Sequence, residues 1–345
     1  MTLLTTHNPS HPLPEATASE LMRIFIDQDT DALLVGACLA LLAQRVPEAH
    51  ELAAFADALA EVAIPFPGVP DSALDTCGTG GDGSATANLS TLAALLLAHL
   101  GVPIVKHGNR AATSVCGSAD LLEALGYDLA RASGDLAGDL ARHGFVFLFA
   151  PAYHPLLGRL REIRRRLGIP TIFNLLGPLL NPAQPPLQLL GVARAELLPA
   201  MAGALARRPT LRRAFVIHGK DAEGKGLDEA SIEGPTTLLT VADGQVAAPQ
   251  VLVPRELGLS APPRHALRVA DRAEALTVAR GLFGGAAHAD FRPAVADAVA
   301  LQAALGLQLH RKQGLEGLGD SLREARTQLE RGFALPFTMA PEVRP

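Results

Sequence analysis

Tryptophan is absent from the 345-residue chain and tyrosine occurs only twice, so there is no ladder of rings on which single-stranded bases could stack. Positive charge is also short. Against 35 Asp+Glu stand 30 Lys+Arg, a formal net charge of -5 with a pI near 6.1. That balance gives no global attraction to nucleic acid or to an anionic membrane. Cysteine is scarce: Cys38, Cys77 and Cys116 are odd in number and widely spaced, which makes no disulfide framework and fits a reducing compartment. No apolar run has membrane length: residues 33–43 are too few, and 92–105 are broken by His99, Gly101 and Pro103. The opening residues lack the basic region and apolar core of a secretory signal. These absences point to a cytoplasmic protein that binds neither membrane nor nucleic acid.

What is present is apolar. Hydrophobic residues make up 48% of the chain, charged ones 19%, and the mean hydropathy is +0.22, the opposite of a disordered composition. A chain this long can bury about three quarters of its unfolded surface, as one large domain or two. From Glu15 to about Ala63 the apolar spacing is helical, and Pro65, Pro67, Gly68 and Pro70 then form a linker. Beyond it, short strands alternate with helices: 73–77, 103–105, 145–149, 187–192 and 214–218 read as strands, with helices at 90–100 and 121–126. This pattern predicts an α/β fold, a small N-terminal all-α domain followed by a larger α/β domain with a mostly parallel central sheet. Ligands of such sheets bind beyond the carboxyl ends of the strands, where the unusual loops of this chain fall.

The first such loop is Gly78-Thr79-Gly80-Gly81-Asp82-Gly83, leading through Thr86 and Asn88-Leu89-Ser90-Thr91 into a helix. Glycines allow a close backbone approach to an anion, and a helix start offers N–H groups to phosphate. Neither a P-loop nor a dinucleotide fingerprint is matched. Asn88 or Ser90 could equally be an ordinary helix cap. The next strand ends in Lys106-His107-Gly108-Asn109-Arg110, followed by Ala111, Ala112, Thr113, Ser114 and then Gly117-Ser118. Two hydroxyl-rich, glycine-containing loops at successive strand ends, one of them basic, suit a ligand with two phosphate groups. Further on, a helix over 155–167 would carry Leu156, Leu160, Ile163 and Leu167 in one stripe, with Arg164 at its edge. A cation there needs an anionic partner, and a carboxylate matches the guanidinium fork, whether it belongs to a ligand or to another part of the chain.

Read in order, Gly-Thr-Gly-Gly-Asp82, Asn88-Leu-Ser-Thr, Lys106-His-Gly-Asn-Arg, Gly117-Ser-Ala-Asp, His154-Pro, Phe173-Asn-Leu-Leu-Gly-Pro-Leu and Gly226-Leu-Asp-Glu229 resemble the anthranilate phosphoribosyltransferases along essentially the whole chain. The resemblance implies a small helical domain over residues 1–70, joined by helices of about 155–185. A large domain would be made of 71–154 and 186–345, with a homodimer formed through the helical part. It implies phosphoribosyl pyrophosphate as donor, anthranilate as acceptor and Mg²⁺. By the same resemblance Gly78, Gly81, Asp82, Thr86, Asn88, Leu89, Ser90 and Thr91 would cradle pyrophosphate. Lys106 to Ser114, with Ser118, would hold the rest of the donor, and Ser90, Asp228 and Glu229 would hold the metal. Arg164 would meet the anthranilate carboxylate, Asn109 would lie near the amine, and Gly78, His107, His154, Gly177 and Pro178 would line the acceptor site. An aromatic amine is already neutral at pH 7, so no general base is assigned.

Val115, Cys116, Leu156-Leu157, Pro170 and Leu180 depart from the family pattern and bear chiefly on the acceptor pocket. Three alternatives stay open: a paralogue using a modified aromatic amine, a related nucleoside phosphorylase, and a non-catalytic nucleic-acid-binding relative. The arrangement of Asn109 and Arg164 speaks against the second, and the acidic charge and intact glycine loop against the third.

Overall fold

The computed structural model describes residues 8–66, 68–111, 115–130, 135–263 and 265–337. Three helices come first, α1 (Glu15–Ile26), α2 (Ala32–Leu42) and α3 (Ala49–Ala60). Asp31 caps α2 through the Leu33 N–H, and Glu48 with Glu51 forms a capping box on α3. The α/β part follows as β1 (Leu74–Gly78), α4 (Leu89–His99), β2 (Ile104–Gly108), α5 (Ser118–Ala124), α6 (Leu136–His143) and β3 (Phe145–Phe149). The chain then makes α7 (Ala150–Tyr153), a 3₁₀ turn at Pro155–Leu157, α8 (Gly158–Leu167) and α9 (Ile172–Leu176). It returns to the sheet with β4 (Leu187–Gly191), α10 (Leu198–Ala206), β5 (Arg213–Lys220), β6 (Gly226–Leu227), β7 (Thr236–Ala242), β8 (Gln245–Val246) and β9 (Gln250–Leu252). Helices α11 (Arg272–Gly284), α12 (Pro293–His310) and α13 (Leu318–Arg331) close it.

Among the described residues the strands form one sheet in the order β3-β2-β1-β4-β5-β7-β8, with β6 beside β5 and β9 beside β7. The pairs β3-β2, β2-β1, β1-β4 and β4-β5 are parallel, and β5-β7 is antiparallel. Side chains alternate across the pleat. Leu187, Leu189, Phe215 and Ile217 enter one core with α4, α12 and α13, while Leu190, Ala214 and Val216 enter another with α1, α2, α3 and α10. Both faces are covered, which is why these strands read as unbroken apolar runs. Leu160 and Ile163 of α8 and Ile172, Phe173 and Leu176 of α9 lie in the same core as α1–α3.

The chain leaves β1 outward to β2 and β3, then crosses back to β4 and β5 on the other side of β1. Between β1 and β4 the strand order reverses, and the crevice at the carboxyl ends of those two strands is the place where an open α/β sheet takes a ligand. No helix among the described residues is long and apolar enough to cross a membrane.

Candidate active site

The glycine loop opens from β1 at this crevice. Gly80 (φ 68), Gly81 (φ 82) and Gly83 (φ 66) occupy left-handed conformations that favour glycine. Asn88 takes the N-cap position of α4 at φ 44, yet its side chain does not cap the helix. Instead its Nδ2 donates to the Cys116 carbonyl at 2.8 Å, tying the first loop to the second, while its Oδ1 is buried without a partner. The first turn of α4 therefore presents N–H groups that no side chain at its own cap has satisfied.

Across these strand ends lies the acidic pair Asp228-Glu229. Gly80 N–H donates to Asp228 Oδ2 at 2.7 Å, and Ser90 N–H donates to Glu229 Oε1 at 3.2 Å. The approach is so close that a Cβ at Gly78 would overlap the Asp228 carboxylate, and one at Gly191 the Asp228 carbonyl oxygen. A Cβ at Gly219 would overlap the carbonyl oxygen of Glu229. Gly191 and Gly219 thus belong to the site, although no motif pointed to them. Burial pushes the Asp228 carboxyl up to about 7, the negative charge of Asp82 adding to it, and burial with Asp228 and Asp82 beside it raises Glu229 well above the usual range.

Three carboxyls crowded without an equal number of cations fit a divalent metal ion. Among the described residues no group of three or more His, Cys, Asp or Glu side chains is assembled as a cage. One or two carboxylates and a serine hydroxyl, completed by substrate phosphate and water, is how Mg²⁺ is usually held.

Lys106 does not open toward this crevice. It is 2% exposed and donates to the Thr76 carbonyl, with Thr76 Oγ1 at 3.5 Å; burial pulls its ammonium pKa down against the opposing pull of Asp75 and Glu229. Asn109 and Arg110 are exposed. Arg110 pairs with Glu123 at 2.8 Å and Asp120 at 3.3 Å, so its charge is already matched. Asn109 accepts from its neighbour's N–H through Oδ1 and from Ser118 Oγ through its carbonyl. Gly108 is packed so tightly that a Cβ there would overlap Ser118 Oγ. Thr86 bridges to Arg268. Ala112, Thr113 and Ser114 lie outside the described residues. No motif points to Lys225, but its ammonium lies over Gly83 of the glycine loop, 3.3 Å from where a Cβ would be.

On the other side of β1 the structure gathers His107, His154, Gly177 and Pro178. The two imidazoles meet edge to face at 5.3 Å, and His154 Nε2 bonds the Leu180 carbonyl at 2.8 Å. Leu180, one of the departures from the family pattern, thus contributes through its backbone. Pro170 and Val115 are exposed. Beneath them lies a network that the motifs did not reveal. Asn181 Nδ2 donates to Asp75 Oδ2 at 2.9 Å and to the Val105 carbonyl at 2.8 Å. Gln188 Nε2 donates to the Pro178 carbonyl at 2.6 Å, and Arg208 Nη1 to Gln188 Oε1 at 3.0 Å. It ties the 178–181 segment to the sheet. The signal available in sequence was Asp75, an acid in a strand with apolar residues around it.

Burial, with His154 alongside, holds His107 down at about 3, so the native state binds no proton there while the unfolded chain takes one up near 6.5. Stability is therefore lost as pH falls from about 6.5 toward about 3. Melting temperature against pH should fall less steeply below pH 6.5 in His107→Asn than in the wild type; parallel curves would show that His107 does not drive the acid loss.

Arg164 is half-buried at the edge of α8, with Nη2 3.3 Å from Asn174 Oδ1 and its guanidinium 5.6 Å over the Phe173 ring. Its neighbours Arg165 and Arg166 both reach Glu162, whereas no acid pairs with Arg164 among the described residues. Burial alone pulls its pKa down. The Cys77 thiol is pushed up by burial and by Asp75, which leaves it unsuited to a nucleophile.

A model of the glycosyl transferase family, a/b domain, matches residues 70–335. An anthranilate phosphoribosyltransferase of Synechococcus sp. (strain CC9902) is 44% identical over 319 residues, 90% of this chain and 88% of that protein. One of Novosphingobium aromaticivorans is 42% identical over 295 residues, 86% of each. The crystal structure of the Thermus thermophilus anthranilate phosphoribosyltransferase superposes with a TM-score of 0.85 at 38% identity, covering 96% of this chain and 95% of that one. That of Saccharomyces cerevisiae, in complex with PRPP and Mg, superposes with a TM-score of 0.78 at 27% identity, covering 90% and 86%.

Proposed function

This chain belongs to the anthranilate phosphoribosyltransferase family, and from that premise we propose how its own residues carry out the reaction. It transfers the phosphoribosyl group of 5-phosphoribosyl 1-pyrophosphate to the amine of anthranilate, giving N-(5-phosphoribosyl)anthranilate and pyrophosphate in tryptophan biosynthesis. The observation that carries the assignment of the site is the acidic pair Asp228-Glu229, bonded to the glycine loop and to the start of α4 at the point where the strand order reverses.

In this reading the N–H groups of Gly81 and Asp82 and of the first turn of α4, with Thr86 and the stretch Asn88 to Thr91, cradle the pyrophosphate. The segment from His107 to Ser114, with Ser118, holds the remainder of the donor, and Lys106, its ammonium bonded to Thr76 in the interior, supports that segment from β2. Ser90, Asp228 and Glu229 hold Mg²⁺, which would offset negative charge on the departing pyrophosphate. The bond between ribose C1 and the pyrophosphate oxygen breaks, a bond from the amine nitrogen to C1 forms, and the amine's extra proton passes to water. Loop N–H groups stabilise the leaving oxyanion, and positioning supplies much of the remaining acceleration. Arg164 takes the acceptor carboxylate and Asn109 lies by the amine. Gly78, Gly177, Pro178, His107 and His154 flank the ring, and His107, held neutral, packs rather than takes a proton.

Residues 1–70 with about 155–185 form the helical lobe of this reading, and the chain pairs with a second copy through it. The exposed apolar surface of α2, where Leu33 is 82% exposed, supports that dimer. Three free cysteines suit a reducing cytoplasm.

Mixing protein, Mg²⁺, phosphoribosyl pyrophosphate and anthranilate should quench anthranilate fluorescence. No turnover, together with phosphorolysis of nucleosides or salt-sensitive DNA retention, overturns the assignment. Asp228→Asn and Glu229→Gln should each raise the Mg²⁺ concentration for half-maximal rate by about tenfold, the loss of one charge-assisted contact. An unchanged requirement removes the pair from the metal site.

A further inference from the structure

Helix α12 runs beneath the sheet against α4, α13 and the undersides of β1, β4 and β5. It is apolar on nearly every side: Ala298, Val299, Leu301, Ala303, Ala304 and Leu305 are all 0–1% exposed. Two of its buried residues break that pattern, Gln302 at 2% exposure and Gln308 at 0%. Gln308 has an evident task, since its Nε2 donates to Ser321 Oγ at 2.8 Å and joins α12 to α13. Gln302 is not among the buried groups left without a partner, whereas Gln308 Oε1 is; Gln302 borders a small cavity instead. A primary amide in so apolar a helix is a cost unless something polar meets it, and a leucine at the same place would avoid that cost.

Gln302 lines a small cavity under the crevice, together with the polar Thr76, Ser90 and Asp228 and the apolar Ala93, Leu189 and Ile217; its volume of about 10 Å³ is just enough for one water molecule. A water in such a place needs two to four polar partners. The Gln302 amide, the Thr76 and Ser90 hydroxyls and the Asp228 carboxylate can supply them.

We propose that Gln302 is a positioning residue of the metal and pyrophosphate site, holding Asp228 and Ser90 in place from below through a water in this cavity. The inference rests on the metal assignment made above. It gives the polar break in α12 a reason: the amide fixes the direction in which Asp228 presents its oxygens, as outer groups commonly do for metal-ligating carboxylates.

The test uses Mn²⁺ as a paramagnetic probe, titrated into the full-length protein with phosphoribosyl pyrophosphate present and anthranilate absent, bound metal being read by electron paramagnetic resonance. Gln302→Met, near in volume but without the amide, should weaken Mn²⁺ binding about 5- to 10-fold, the lower part of the range for loss of such an outer partner. Its melting temperature should hold or rise, and the anthranilate KM should not move. Gln302→Asn, which keeps an amide that water can bridge, should restore most of the affinity. A purely structural glutamine predicts the reverse: a lower melting temperature with Mn²⁺ affinity unchanged. That result overturns the proposal, and so does failure of both Gln302→Met and Gln302→Leu to fold. Asp228→Asn separates the two levels. If it leaves Mn²⁺ binding intact, the metal assignment is wrong; if it weakens binding while Gln302→Met does not, only the role of Gln302 is lost.

Discussion

Arg164→Ala is expected to raise the KM for anthranilate about 10- to 100-fold, since a charge-assisted hydrogen bond is worth about 1.5–3 kcal/mol. The donor KM should stay nearly constant. The guanidinium is half-buried, its one polar partner among the described residues is the neutral Asn174 at 3.3 Å, and burial alone draws down its pKa. A partly desolvated cation with no acid beside it is a charge waiting for an anion. Among the described residues it has only the Asn174 contact and its stacking over Phe173, worth about 0.5–1 kcal/mol, so the melting temperature should fall slightly. Aniline, which lacks the carboxylate, should lose little from the same substitution. Equal losses for anthranilate and aniline would take Arg164 out of the acceptor site, and a large fall in melting temperature with both substrates affected alike would mark a structural residue.

That Arg164 could be placed at all from sequence follows from the regularity of a helix. One hundred degrees per residue puts it at the rim of the stripe of Leu156, Leu160, Ile163 and Leu167, of which Leu160 and Ile163 are buried and Leu156 and Leu167 half-buried. The first turn differs from the expected continuous helix, because Pro155–Leu157 winds as 3₁₀ before α8 begins at Gly158. The five strands β1 to β5 were equally legible, since a sheet covered on both faces needs apolar runs such as Phe145–Phe149, whereas the antiparallel β6 to β9 carry no such signal and are not predicted. Local rules did less well at the loops. Asn88 looks like a helix cap, but a left-handed backbone turns its amide to Cys116. The helix expected at 121–126 begins three residues earlier, at Ser118, because Asp120 accepts from the Gly117 N–H and sets its start. Lys106 reads as part of a basic cluster with Arg110, yet it sits within β2 and its ammonium ends against Thr76 in the interior. Least legible was the meeting of Asp228 with Gly80, 148 residues apart in the chain. No local pattern encodes which strand lies beside β1, and that adjacency is what creates the crevice. Only the resemblance singled out Asp228-Glu229, and of the glycines that admit them the sequence singled out Gly78 but not Gly191 or Gly219.

Of the described glycines, Gly191 is the one where an added Cβ would come nearest to another atom. Gly191→Ala should lower kcat/KM about 100-fold, as expected when a catalytic segment is displaced by about 1 Å. The added Cβ would occupy the space of the Asp228 carbonyl oxygen, a backbone atom that cannot rotate away as a side chain could. Gly191 is not among the positive-φ glycines, so the cost is steric rather than conformational. Relief requires moving the Asp228-Glu229 segment off the end of β4, which breaks the bonds from Gly80 and Ser90 and spoils the metal site. Stability should fall by about 1–3 kcal/mol, the usual range for overpacking. Gly158→Ala, at the start of α8 where a Cβ meets open space, is the control and should leave both rate and melting temperature almost unchanged. The Mg²⁺ dependence then separates two causes of inactivity. If Gly191→Ala acts by displacing the acidic pair, raising Mg²⁺ should recover part of the rate. If it only unfolds the end of β4 within the sheet, added metal recovers nothing and the far-ultraviolet dichroism falls with the activity. A Gly191→Ala enzyme with wild-type turnover at limiting Mg²⁺ would mean that the position of Asp228-Glu229 against β4 does not matter for the reaction.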